Sequence, residues 1–228
     1  MTTEEFQDQA EETVRSLPET AKMVIMQPTA FFRTMPRSGG FFSPLIFMLV
    51  MSVIYAVIAT VVSVVSFGWL GMASIFTLIL TPIFAIIGVF ITAAIVCVIW
   101  MMMGSKEKFE ASFRIVCYCA AIWPIGAVLG LIPYVGVAAW LIWGIWLMIL
   151  ASVHIHQIAQ KTATVVFGII GLVLLLLTLG GQYAGQQSMQ QLEDLQGQFE
   201  GLDPNNPEDA AKMLEKMMEL QQQEQQQQ

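Results

Sequence analysis

His154 and His156, with Lys161 close behind them and Cys117 and Cys119 earlier in the chain, are the residues whose chemistry reaches beyond packing. Imidazole nitrogens and thiolates are ordinary zinc ligands, and a mixed Cys/His set would make a tetrahedral metal site. The spacing speaks against one. Each pair is two residues apart, and such residues point about 200° away from each other on a helix, so neither pair converges unless the helix unwinds. The two histidines are therefore expected at a membrane interface, beside Gln157, Gln160 and Lys161, with no resident metal or other cofactor. The chain also lacks a Walker-type phosphate loop, a nucleotide-binding glycine fingerprint, H-E-x-x-H and G-x-S-x-G. A non-enzymatic protein is expected.

The sequence that must position these residues is almost free of charge. Of 228 residues, 56% are hydrophobic and 12% charged, against about 25% charged in a soluble domain. Five runs, at 44–67, 76–103, 112–132, 135–153 and 163–179, approach or exceed the roughly 20 apolar residues that a helix needs to cross a bilayer. None alternates polar and apolar as a barrel strand would. The expected fold class is all-α, a polytopic membrane bundle of five transmembrane helices over 44–181. The second run is long enough to tilt, or to begin with an interfacial turn before Pro82. Cys97, Cys117 and Cys119, odd in number and set in apolar sequence, read as buried hydrophobes rather than disulfide partners.

Lysine and arginine near spans stay on the cytoplasmic side. Arg33 and Arg37 precede the first run, Lys106, Lys108 and Arg114 separate the second from the third, and Lys161 separates the fourth from the fifth. The alternate connections, "SFGWLGMAS" and "LIPYVG", carry no charge. An inside N-terminus and an outside C-terminus follow, and without a basic, then apolar, leader the first span is expected to direct insertion itself. The net charge of −7 says little about protein partners, because six acids lie before residue 20 and nine after residue 190; no nucleic-acid partner is expected.

"GLIPYVG" is short enough to force the third and fourth spans into an antiparallel hairpin. Gly126 and Gly130 form a GxxxG that lets another backbone come close, inside one subunit or between two. Trp140, Trp143 and Trp146 make a stripe for packing or for lipid. No ionisable residue falls at mid-membrane, which weighs against ion-coupled transport.

The ends differ from the middle. Ser16 and Glu19 have capping-box spacing, with Pro18 in the first turn and Pro28 as the stop. A short amphipathic helix is expected within the cytosolic segment 1–43, either with Phe31 and Phe32 dipping into the membrane interface or packed on the ends of the spans. The acidic, glutamine-rich tail 182–228 keeps helical spacing at Met189, Leu192, Leu195 and Phe199. After "DPNNP" it resumes at Met213, Met217 and Leu220. These weak amphipathic helices are expected to pack as a hairpin, to pair with another subunit or to bind a partner.

The order of "QPTAFFRTM", "MGSKEKFEASFRIVCYCAAIWP", "LIPYVGVAAWLIWGIWLMIL" and "HIHQIAQKTA" resembles the Yip (Ypt-interacting protein) family of five-span membrane proteins. The resemblance implies a cytosolic N-terminus. Eukaryotic members are associated with early secretory membranes, Rab-type GTPases and membrane shaping. The "DLYGP" and "YGYS" elements of those members are missing, so GTPase binding is not carried over, and the chain looks more like a prokaryotic, inner-membrane member. Two functions are expected from these readings. One is a non-enzymatic scaffold for membrane or partner proteins, as a homo-oligomer through the spans or the tail; the other is a channel or transporter for a small solute or lipid.

Overall fold

The structure is a computed structural model that describes residues 3–67 and 74–199. Among these residues all the regular structure is helical, with no strand: α1 (Thr3–Met26), α2 (Pro28–Thr34), α3 (Phe42–Phe67), α4 (Ile75–Met102), α5 (Phe109–Cys119), a 3-10 turn (Ala120–Ile122), α6 (Trp123–Leu129), α7 (Val135–His154) and α8 (Gln160–Phe199). Five stretches are long and apolar enough to cross a membrane: Phe42–Val65, Ile75–Met102, Phe109–Leu129, Val135–His154 and Gln160–Ser188. The five expected runs are all present.

The chain divides into two compact units, one up to Leu177 and one from Thr178 onward. In the first, the third span is the core: every residue from Ala111 to Ile122 is buried, whereas the other spans turn apolar side chains outward. Its mean hydropathy is the lowest of the five, at 1.6. Hydropathy therefore does not rank burial here, because a span facing lipid must be apolar all round while one wrapped in protein tolerates Ser112 and Arg114. This span is also the irregular one. The helix tightens into a 3-10 turn just before Pro124, which lies in the first turn of α6, where its missing N–H costs nothing.

Of the two readings open for the second run, the structure takes the single long helix: Pro82 lies inside a continuous α4, with no separate interfacial turn before it among the described residues. One expectation is corrected. At the N-terminus, Ser16 does not cap a helix: α1 runs unbroken from Thr3 through Pro18, and the Ser16 hydroxyl donates back to the Thr13 carbonyl at 3.0 Å. The pattern was misread because a serine one turn into a helix can satisfy itself on the preceding turn as readily as it can cap. Pro28 ends α1 and opens α2.

Of the two positions open to the N-terminal aromatics, the structure takes the packed one. Phe31 and Phe32 are 8% and 1% exposed, and Phe31 meets Tyr118 of α5 edge-on at 5.2 Å, as Phe47 of α3 does from its side at 5.2 Å. Rings so enclosed cannot reach the lipid interface.

In the second unit the helix stays unbroken through Gly180 and Gly181, with Gln187 donating to the Tyr183 hydroxyl at 2.9 Å and Ser188 to the Ala184 carbonyl at 3.0 Å. No break marks the expected boundary after residue 181. Met189, Leu192, Leu195 and Phe199 lie on this helix; Met213, Met217, Leu220 and the "DPNNP" break lie outside the described residues.

Candidate functional site at the basic end

Alternating spans bring three separated segments to one end of the bundle, and specific bonds tie them together. The first is 35–41, ahead of α3. Arg37 donates to Glu107 at 2.6 Å as an ion pair. Gly40, at φ 86°, turns so that its N–H reaches Glu110 at 2.7 Å while its carbonyl accepts from Arg114 at 2.9 Å. A residue with a Cβ is strained at that φ, so the glycine is what lets both backbone groups face α5. Glu110 sits in the first turn of α5, where the helix dipole favours a carboxylate.

The second tie joins the α4–α5 connection to the segment after α7. The Ser105 hydroxyl and His156 Nδ1 share a hydrogen bond of 2.6 Å, and Ser105 also accepts from the Glu107 N–H at 3.2 Å. The imidazole stacks on Trp100, centroids 3.9 Å apart with 22° between planes. Trp100, fully buried, donates its indole N–H to Ser152 at 2.7 Å, and Ser152 passes a bond on to the Met148 carbonyl at 2.7 Å. Each polar group in this series of bonds enters the core with a partner, which is what burial requires, except His156 Nε2, which has none. Burial, and then the positive charge of Arg37, push the His156 pKa down to about 4. At neutral pH it is an uncharged, structural imidazole.

Several expected residues take their places here, and several were missed. Arg33, Arg37, Lys106, Lys108 and Lys161 are exposed at this end. Arg114 is not an open charge like the others: it is 5% exposed, and its Nε has no partner. The sequence assigns no site role to Ser105, Glu107, Glu110, Trp100 and Ser152. A signal was present for the acids, since Glu107 and Glu110 are the only carboxylates between residues 20 and 190 and lie between Lys106, Lys108 and Arg114 in sequence. Among the described residues no three His, Cys, Asp or Glu side chains gather as a metal set. Cys117 and Cys119 are buried in α5, and half-buried His154 offers its carbonyl to Gln157 at 3.0 Å.

At the opposite end the hairpin closes through glycine. A Cβ on Gly136 would lie 1.7 Å from the Leu129 carbonyl oxygen, so α6 and α7 meet backbone to backbone, with Tyr134 at φ 60° making the turn. Gly126 receives the Trp140 indole, 2.5 Å from where a Cβ would stand, whereas a Cβ on Gly130 would meet only carbonyls of its own turn at 3.4 Å. Of the tryptophan stripe, Trp146 is exposed; the indole nitrogens of Trp140 and Trp143 are buried without partners.

A basic end tied by one ion pair and several hydrogen bonds, together with five apolar spans, defines an integral membrane protein. The family model for the Yip1 domain matches residues 22–181, most of the chain. The protein belongs to the Yip1 domain family, which is not known as enzymatic. The match begins near the end of α1 and includes the whole of α2. Searches of curated proteins and of solved structures give no match.

Proposed function

We propose that this Yip-type protein is a non-enzymatic scaffold that organises membrane or partner proteins. Its basic end would face the cytoplasm and its tail the other side, in a prokaryotic inner membrane rather than an early secretory one. The observation that carries the reading is the bonded platform at the basic end. Arg37–Glu107, Arg114–Gly40 and Ser105–His156 hold three connections in one arrangement and leave Arg33, Lys106, Lys108 and Lys161 exposed. Fixed cations on a rigid base favour an acidic partner surface or anionic headgroups. The orientation rests on the same residues, by the preference of basic loops for the cytoplasm. A channel through one subunit is disfavoured, because no charged residue among the described ones lines the cavities between the spans. Residues 183–228 would supply a second surface, for self-association or a partner.

The test is a pair of measurements on purified protein. Lys106→Glu with Lys108→Glu, or removal of 183–228, keeps membrane insertion and lowers recovery of oligomer or partner in mild detergent. Unchanged recovery from both variants opposes the scaffold, as does solute flux across proteoliposomes above that of empty vesicles.

A further inference from the structure

Arg114 is a cation taken out of water without an anion beside it. It is 5% exposed, and among the described residues it makes no ion pair. Glu110, the nearest carboxylate along the chain, accepts from the Gly40 N–H at 2.7 Å instead. A guanidinium so buried is strongly unfavourable until a counter-charge reaches it. Of its nitrogens, Nε is sealed without a partner and Nη1 donates to the Gly40 carbonyl at 2.9 Å. Nη2 is neither sealed nor bonded, so that edge of the charge is open to a ligand.

The way in passes two exposed glycines. A Cβ on Gly39 would lie 3.5 Å from Nη1, so a longer side chain there would lie over the charge, whereas a Cβ on Gly40 would meet empty space. We infer that this notch binds the phosphate of one anionic glycerophospholipid, with Arg114 Nη2 donating to a phosphate oxygen and the acyl chains running over the exposed rings of Phe41 and Phe90.

Depth, apolar surface and charge select a lipid over a soluble anion or a protein carboxylate. Gly40 lies two residues ahead of α3 and Arg114 five residues inside α5, which at about 1.5 Å per residue puts the notch within roughly 8 Å of the span ends, in the headgroup layer. Phe113 packs on Phe41 at 5.0 Å and on Phe90 at 4.8 Å, and those two rings are 42% and 41% exposed. Phe90 stands twelve residues before the end of α4, about 18 Å along the helix. Exposed rings therefore lead from the notch into the hydrocarbon, and a soluble phosphate would leave them uncovered. Segments 28–41 and 103–114 carry five cations and two acids, which favours a net negative headgroup over a zwitterionic one. Glu110, bonded to the same glycine, opposes a doubly charged phosphate, so a diester is the fitting anion. The inference goes beyond the scaffold reading and does not need it, because recovery of oligomer or partner is measured separately from lipid.

The test is native mass spectrometry of the full chain in non-ionic detergent, titrated with dioleoyl phosphatidylglycerol. The natural chain is expected to bind one molecule saturably. Arg114→Gln keeps most of the side chain's length without its charge, and weakens that binding about tenfold, the worth of one charge-assisted hydrogen bond. Lys106→Gln removes an exposed cation from the same end and weakens it less than about threefold. Unchanged binding by folded Arg114→Gln overturns the site, and so does an equal loss in Lys106→Gln, which would report only the general charge of this end. If Arg114→Gln does not fold, ligands on the natural chain decide. Dioleoylglycerol, which lacks the phosphate, is expected to bind about tenfold more weakly, and glycerol phosphate, which lacks the chains, is expected not to compete at equal concentration. Equal binding of dioleoylglycerol overturns the phosphate contact, competition by glycerol phosphate overturns the lipid in favour of a soluble anion, and equal binding of dioleoyl phosphatidylcholine overturns the choice of a negative headgroup.

Discussion

Acidification from pH 7 to pH 5 is expected to destabilise the protein through His156 alone by about 2 kcal/mol. The imidazole is 5% exposed, stacked on Trp100 and bonded through Nδ1 to Ser105, with Arg37 nearby. Burial first, and Arg37 second, hold its pKa at about 4 instead of 6.5. The unfolded chain therefore binds more protons than the folded one between those values, so stability falls as the pH falls through this window and flattens below about pH 4. At pH 5 an unfolded imidazole is almost wholly protonated and the native one about one tenth so, which gives the figure of about 2 kcal/mol. The assay is reversible unfolding in mixed micelles at several pH values, comparing the natural chain with His156→Phe. The phenyl ring keeps the stack on Trp100 and cannot titrate. Subtracting the two curves removes every contribution that both chains share. Identical slopes in the two chains between pH 6.5 and 5 would refute the buried, neutral imidazole.

Three further outcomes follow from the geometry. Ser152→Ala leaves the buried Trp100 N–H without its acceptor and costs about 1–3 kcal/mol in the same unfolding assay. Gly136→Ala drives a methyl into the Leu129 carbonyl, and costs about 3 kcal/mol, the upper end for overpacking, because backbone rather than a flexible side chain must move. Arg37→Ala breaks the Glu107 pair, but the partners are 47% and 24% exposed; stability therefore changes by less than about 1 kcal/mol, and a larger loss would mean that the pair carries more of the platform than its exposure allows.

The number of spans and the fold class were legible in the sequence because they depend on local composition. A backbone in hydrocarbon has to close its hydrogen bonds within the helix, so an uncharged run of sufficient length has one outcome wherever it lies in the chain. The sharing of one end by Arg37, Lys106 and Lys161 followed from counting alternate connections. What decided the site was tertiary. Nothing local marks the third span as the central one, since its low hydropathy reads equally as a weak membrane helix. Its burial depends on four neighbours arriving from elsewhere in the chain.

The same distinction explains Phe31 and Phe32, whose pattern fits both a lipid interface and a protein surface; only Tyr118, nearly ninety residues away, selects between them. Arg114 reads as one more basic loop residue until the Gly40 carbonyl, 74 positions back, is placed beside it. His156 reads as a possible ligand until Trp100 and Ser105 enclose it. The sequence by itself determined which segments leave water for the bilayer, because that is a transfer free energy summed along the chain. The tertiary structure decided which of their side chains meet one another, because pairing energies arise only when distant segments are brought within a few ångströms.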